Sequence, residues 1–234
     1  MSSTRFTAVS LILLLAVTAA LAHQKSQNLA DGSAVDDITF SYKFESPRFP
    51  IRLIEIDIGS NGVGELRFKR GESDEILDCK VKLLPLTSAR ITKLYETLGF
   101  LNSDAEYQDK KDFSHLGWVT LGAQRGSRGR KVRFNFTTNE LIKELEEIFR
   151  GIATQEISLF DIENAGRYQP LDVPKQLELL ENDLRLTRIT EPERVLAALN
   201  EIAGDDSLPL IARNHAKRMV ESIKKGKFKS TVRK

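Results

Sequence analysis

The chain has one cysteine, Cys79, among 234 residues. An internal disulfide is therefore impossible, and stability must come from packing. Histidine is nearly as scarce, with three copies at 23, 115 and 215. The sequence contains no serine nucleophile elbow, zinc-protease helix, Walker loop or dinucleotide-binding glycine fingerprint. An excess of one charge is missing too. The 35 Lys and Arg face 33 Asp and Glu, a net of +2, so no nucleic-acid partner is expected.

What is present begins at the N-terminus, "MSSTRFTAVSLILLLAVTAALAHQ". Arg5 supplies a positive start, and Ala8 to Ala19 is apolar except for Ser10 and Thr18. Ala20-Leu21-Ala22 places small residues where a signal peptidase reads them. The expectation is a signal peptide over 1–22, cleaved after Ala22, and export to the periplasm or the extracellular space. The apolar run is about 15 residues, short of the roughly 20 that span hydrocarbon. Residues 23–36 are small and polar and read as a disordered leader.

Strict alternation follows. Ile38, Phe40, Tyr42 and Phe44 fall on one face of a strand, with Thr39, Ser41, Lys43 and Glu45 on the other. Ile54, Ile56 and Ile58 repeat the pattern, then Leu66 and Phe68, then Leu77, Cys79, Val81 and Leu83. Asn61-Gly62 and Gly71 mark the turns between these strands, which read as an antiparallel meander with one wet face. A helix is expected next, capped by Thr87 or Ser88 and stopped by Gly99. After a polar loop from Asn102 to Ser114 comes another hairpin, "LGWVTLGAQ-RGSRG-RKVRFNFT". Thr137 and Glu140 form a capping-box pattern for a helix that Gly151 is expected to close.

Beyond Gly151 the periodicity is helical, with Leu177, Leu180 and Leu184 on one stripe. Thr190 and Glu193 repeat the capping-box pattern, and Pro209 stands near the start of the last helix. The segments "EPERVLAALNEI" and "LPLIARNHAKRMVESI", spanning 191–223, together resemble a single HEAT-type helical hairpin. Such repeats bury their faces against neighbours, and no function follows from the resemblance. From Arg213 to Lys234 there are nine Lys and Arg against one acid, Glu221.

The fold expected is α+β. A mainly antiparallel sheet of about six strands with two helices occupies 37–151. A helical segment follows over 152–226, then a basic tail over 227–234.

The side chains that carry chemistry are few. Five cations between the hairpin strands, Arg125, Arg128, Arg130, Lys131 and Arg133, are the candidate anion-binding residues. Alternation sends Lys131 and Arg133 outward when Val132 and Phe134 turn in. Glu55 and Asp57 share a strand face opposite Arg67 and Lys69, which offer cross-strand ion pairs. Asp104, Glu106, Asp109, Asp112 and His115 share a loop but lack a metal-ligand spacing, and neither metal nor cofactor is expected. Cys79 alternates with charged neighbours and so turns toward the core. Asn135-Phe136-Thr137 matches a glycosylation acceptor.

The first expectation of function is an exported, non-enzymatic binding or structural protein with a protein or envelope partner. The second is an envelope hydrolase using Glu55, Asp57, Asp109, Asp112 and His115. The third is a polyanion- or membrane-surface-binding module that joins the five hairpin cations to the tail, with weak attraction to acidic lipid or polymer.

Overall fold

The computed structural model describes residues 37–232. The signal peptide and leader expected over 1–36, and the last two residues of the tail, lie outside them. The α+β fold is as expected. Six strands form one antiparallel sheet: β1 (Ile38–Glu45), β2 (Ile51–Gly59), β3 (Val63–Arg70), β4 (Leu77–Lys82), β5 (Trp118–Arg125) and β6 (Arg128–Phe134). Their spatial order is β4-β3-β2-β1-β5-β6, so β4 and β6 are the edges. Hairpin connections explain most of this order, because β2, β3 and β4 follow one another as a meander. The β2–β3 turn uses Gly62 at φ +78°, and the Asn61 side chain accepts from Val63 N–H at 2.9 Å.

Five helices are described: α1 (Pro85–Thr97), α2 (Glu140–Tyr168), α3 (Val173–Arg185), α4 (Leu196–Gly204) and α5 (Leu210–Lys224). None of the helices described is long and apolar enough to cross a membrane. The alternating apolar residues of the sheet, Phe40, Tyr42, Ile56, Leu66, Phe68 and Leu121 among them, are buried against Ile91 and Leu94 of α1 and Leu145, Phe149 and Ile152 of α2. A second apolar cluster packs α3, α4 and α5 with the last turns of α2, through Ile162, Leu177, Leu180, Leu199, Ala216 and Met219. The opposite face of the sheet carries no helix in either cluster, and its side chains stay wet.

Several local expectations fail. Gly151 does not end α2, which runs on to Tyr168. The cap of α2 is Asn139, not Thr137: its side chain accepts from Leu141 and Ile142 N–H. Thr87 and Ser88 lie buried inside α1, which starts at Pro85, where a missing N–H costs nothing. Thr190 caps nothing either. Its hydroxyl donates to the Ile148 carbonyl at 2.9 Å and accepts from Thr231 at 3.0 Å. The tail is therefore docked along its described part. Ser230 donates to the Thr190 carbonyl, and Val232 is buried in the sheet core.

Candidate functional site

The open face of the sheet is a grid of charges. On its β1–β4 side, cations and acids alternate across the strands. Arg67 donates to Asp57 at 2.9 Å and faces Glu55 at 3.8 Å; Lys43 lies 3.5 Å from Glu55, and Lys80 3.1 Å from Glu65. Lys69 turns instead to Asp74, at 3.7 Å. Glu55 and Asp57 thus sit in cross-strand ion pairs.

The β5–β6 side differs. No acid occurs on either strand. Arg125, Arg128, Lys131 and Arg133 are exposed and form no ion pair among the described residues, but only Lys131 and Arg133 lie on the open face; Arg125 and Arg128 pair with each other in register at the hairpin end, on the same side of the sheet as Ile38. Arg133 lies over the Trp118 ring at 4.3 Å, a cation–π contact. Beside it is a hollow of about 340 Å³ bounded by Ser41, Asp57, Gln124 and Lys131. Glycines make that hollow. A side chain at Gly122 would meet the Ser41 hydroxyl at 2.3 Å, and Gly129 leaves the next position bare. Of the two glycines at the hairpin turn only Gly126 has positive φ, at +57°; Gly129 is ordinary strand.

Arg130 is set apart from the other four cations by its partners. Even-numbered residues of β6 turn toward the core, so Arg130 follows Val132 and Phe134 inward. At the rim it donates to the Phe100 carbonyl at 2.9 Å and to the Ala105 carbonyl, and it lies over the Phe100 ring at 4.9 Å. It fastens the loop after α1 to the hairpin. The tail is also separate. Its bonds to Thr190 anchor it on the helical side of the sheet, away from Lys131 and Arg133.

The hydrolase residues are not brought together. Asp109 accepts from the Thr138 hydroxyl at 3.0 Å, which holds its carboxyl below the usual range. Asp112 accepts from Ser114 N–H at 2.8 Å and from the Asn135 side chain at 2.9 Å, and is likewise lowered. These acids serve the loop, while Glu55 and Asp57 serve the sheet, and no hydrogen bond among the described residues links the two sets. Asn135 spends its carbonyl oxygen on Phe113 N–H and Gln108, so its side chain is tied down on both ends. Among the described residues no group of three or more His, Cys, Asp and Glu could hold a metal ion. His215 is a packing residue, its Nε2 2.9 Å from Glu181.

Cys79 is half-buried and lines a cavity of about 880 Å³ with Glu156 and Arg194. Burial, reinforced by the Glu156 and Asp78 charges, pushes its thiol up to about 12. A thiol held that high is protonated at neutral pH and is a poor nucleophile. Alternation indicates which way Cys79 turns, but the buried acids around it come from distant parts of the chain and leave no local pattern. No family model and no curated protein matches the chain.

Proposed function

We propose that this is an exported, non-enzymatic binding protein that holds linear anionic polymers along the β5–β6 side of its open sheet face and around the adjoining hairpin end. The supporting observation is the asymmetry of that face. Lys43, Arg67, Lys69 and Lys80 are each matched by an acid, whereas Lys131 and Arg133 are not; Arg125 and Arg128, at the hairpin end on the other side of the sheet, are unmatched as well. Cations spread along a hairpin at the sheet edge suit a chain of fixed negative charges, and those on the edge strand also discourage its pairing with another sheet. Export rests on the N-terminal pattern of Arg5, the apolar run and Ala20-Leu21-Ala22.

Immobilised heparin is a suitable probe polymer. The protein is expected to be retained at low salt and released as salt screens the contact. Changing Arg125, Arg128, Lys131 and Arg133 together to glutamine should weaken binding at least about tenfold, the sum of several modest exposed charge contacts. Absence of retention at low salt, or retention unchanged in that variant, would remove the reading. Binding to phosphatidylserine vesicles without binding to heparin would overturn the choice of a polymer. Separately, the chain recovered from its own cells is expected to begin at His23 by intact mass; a chain still carrying residues 1–22 would remove export.

A further inference from the structure

The 880 Å³ cavity lies where β4 meets α2 and α4, within the roughly 300–1,000 Å³ typical of ligand pockets. Leu159, Phe160 and Ile202 give it apolar walls. Its polar side is unusual. Glu156 is 5% exposed and Glu191, behind it, 2% exposed. Among the described residues the one cation paired with both is Arg194, at 3.6 Å from Glu156 and 3.9 Å from Glu191, beyond hydrogen-bond length on both sides. The Arg194 Nε and Glu191 Oε2 atoms have no hydrogen-bond partner. Glu156 Oε1 accepts from Gln155 at 2.8 Å, while its Oε2 accepts nothing among the described residues.

One loosely held guanidinium therefore serves two buried carboxylates. The rim adds little. Arg167 is paired with Glu163 and Lys80 with Glu65, whereas among the described residues Glu201 has no ion pair and the Asp205 side chain is hydrogen-bonded within its own turn. A buried carboxylate short of a counter-charge is costly, and the cost falls when a cation or a proton arrives.

We propose that this cavity binds a primary ammonium carried on a short apolar stem, with Glu156 as the carboxylate that receives it. The apolar walls accept the stem, and the free Glu156 oxygen accepts an ammonium N–H. A free alkylamine and the lysyl side chain of a peptide share this chemistry. Burial raises the carboxyl of Glu156, and an ammonium seated against it favours the charged form.

Cys79 lines the same cavity and is the only thiol in the chain, so its reaction with the neutral reagent dithiodipyridine reports occupancy. Hexylamine is expected to slow that reaction saturably, and hexanol and hexanoate at equal concentration are not. Glu156→Gln should raise the hexylamine concentration for half-protection about ten- to a hundredfold, the value of one charge-assisted hydrogen bond. Glu55→Gln, on the open face, should leave it unchanged. A capped lysyl tripeptide that protects at lower concentration than hexylamine assigns the site to a protein side chain; the reverse order assigns it to a free amine. Equal protection by hexanol, no protection by either amine, or protection that survives Glu156→Gln overturns the proposal. Should that variant not fold, the comparison of the three hexyl probes on the unmodified protein decides alone.

Discussion

Replacing Phe149 with alanine is expected to lower the stability of the folded chain by about 3–5 kcal/mol. Phe149 is fully buried on α2, and its ring stacks on Tyr42 of β1 at 5.4 Å between centroids and 8° between planes. Three losses add together. The ring returns to water in the unfolded chain only as a methyl group, a cavity opens between sheet and helix, and the stacking contact, worth about 0.5–1.5 kcal/mol, disappears. Tyr42 then faces the void with a phenol that burial already keeps protonated. Urea unfolding should show a lower midpoint with an unchanged slope. Phe149→Leu, which keeps most of the volume, should lose far less. A loss under about 1 kcal/mol for alanine would mean that α2 does not close the sheet core where described.

The second large effect belongs to Gly64 in β3. A Cβ there would lie 2.0 Å from the Asp57 carbonyl oxygen and 2.7 Å from the Ile58 Cα. Both are backbone atoms of the neighbouring strand, so no side chain can turn aside. Gly64→Ala must part β2 from β3 and is expected to cost about 3 kcal/mol or more. Gly166 in α2 is the matched contrast. A Cβ added there meets nothing within 4 Å. Gly166→Ala should stabilise by about 0.5–1 kcal/mol, through helix propensity and a less flexible unfolded chain. Thermal unfolding of the two variants in parallel tests the opposite signs; equal shifts would contradict the strand geometry.

The strands were legible because the sheet is packed on one side only. Ile38, Phe40 and Tyr42 are buried while Thr39 is exposed, and a period of two states that difference directly. The same period correctly sent Lys131 and Arg133 to the open face. It also sends Arg130 inward, which its position near the turn obscured. Its acceptors, the carbonyls of Phe100 and Ala105, lie on a loop some way back in the chain. Gly151 misled for a related reason. A glycine in a helix commonly marks an end, but here it makes room: a Cβ would stand 2.3 Å from the Thr190 hydroxyl, which must reach the Ile148 carbonyl. The need for a glycine at 151 is set by residue 190, and no window of local sequence contains both. The grouping of Glu156, Glu191 and Arg194 was invisible on the same grounds. Glu191 even supplies the acceptor for Leu84 N–H ahead of α1, at 2.7 Å.

α2 has 29 residues, about 43 Å of continuous helix, and it gives Leu145, Phe149 and Ile152 to the sheet and Ile162 and Ala165 to the helical cluster. No peptide bond within it can be cut without stranding greasy surface on both fragments. The two halves of the molecule are thus joined by a common beam rather than a hinge, and slow amide exchange near its middle should report the melting of either one.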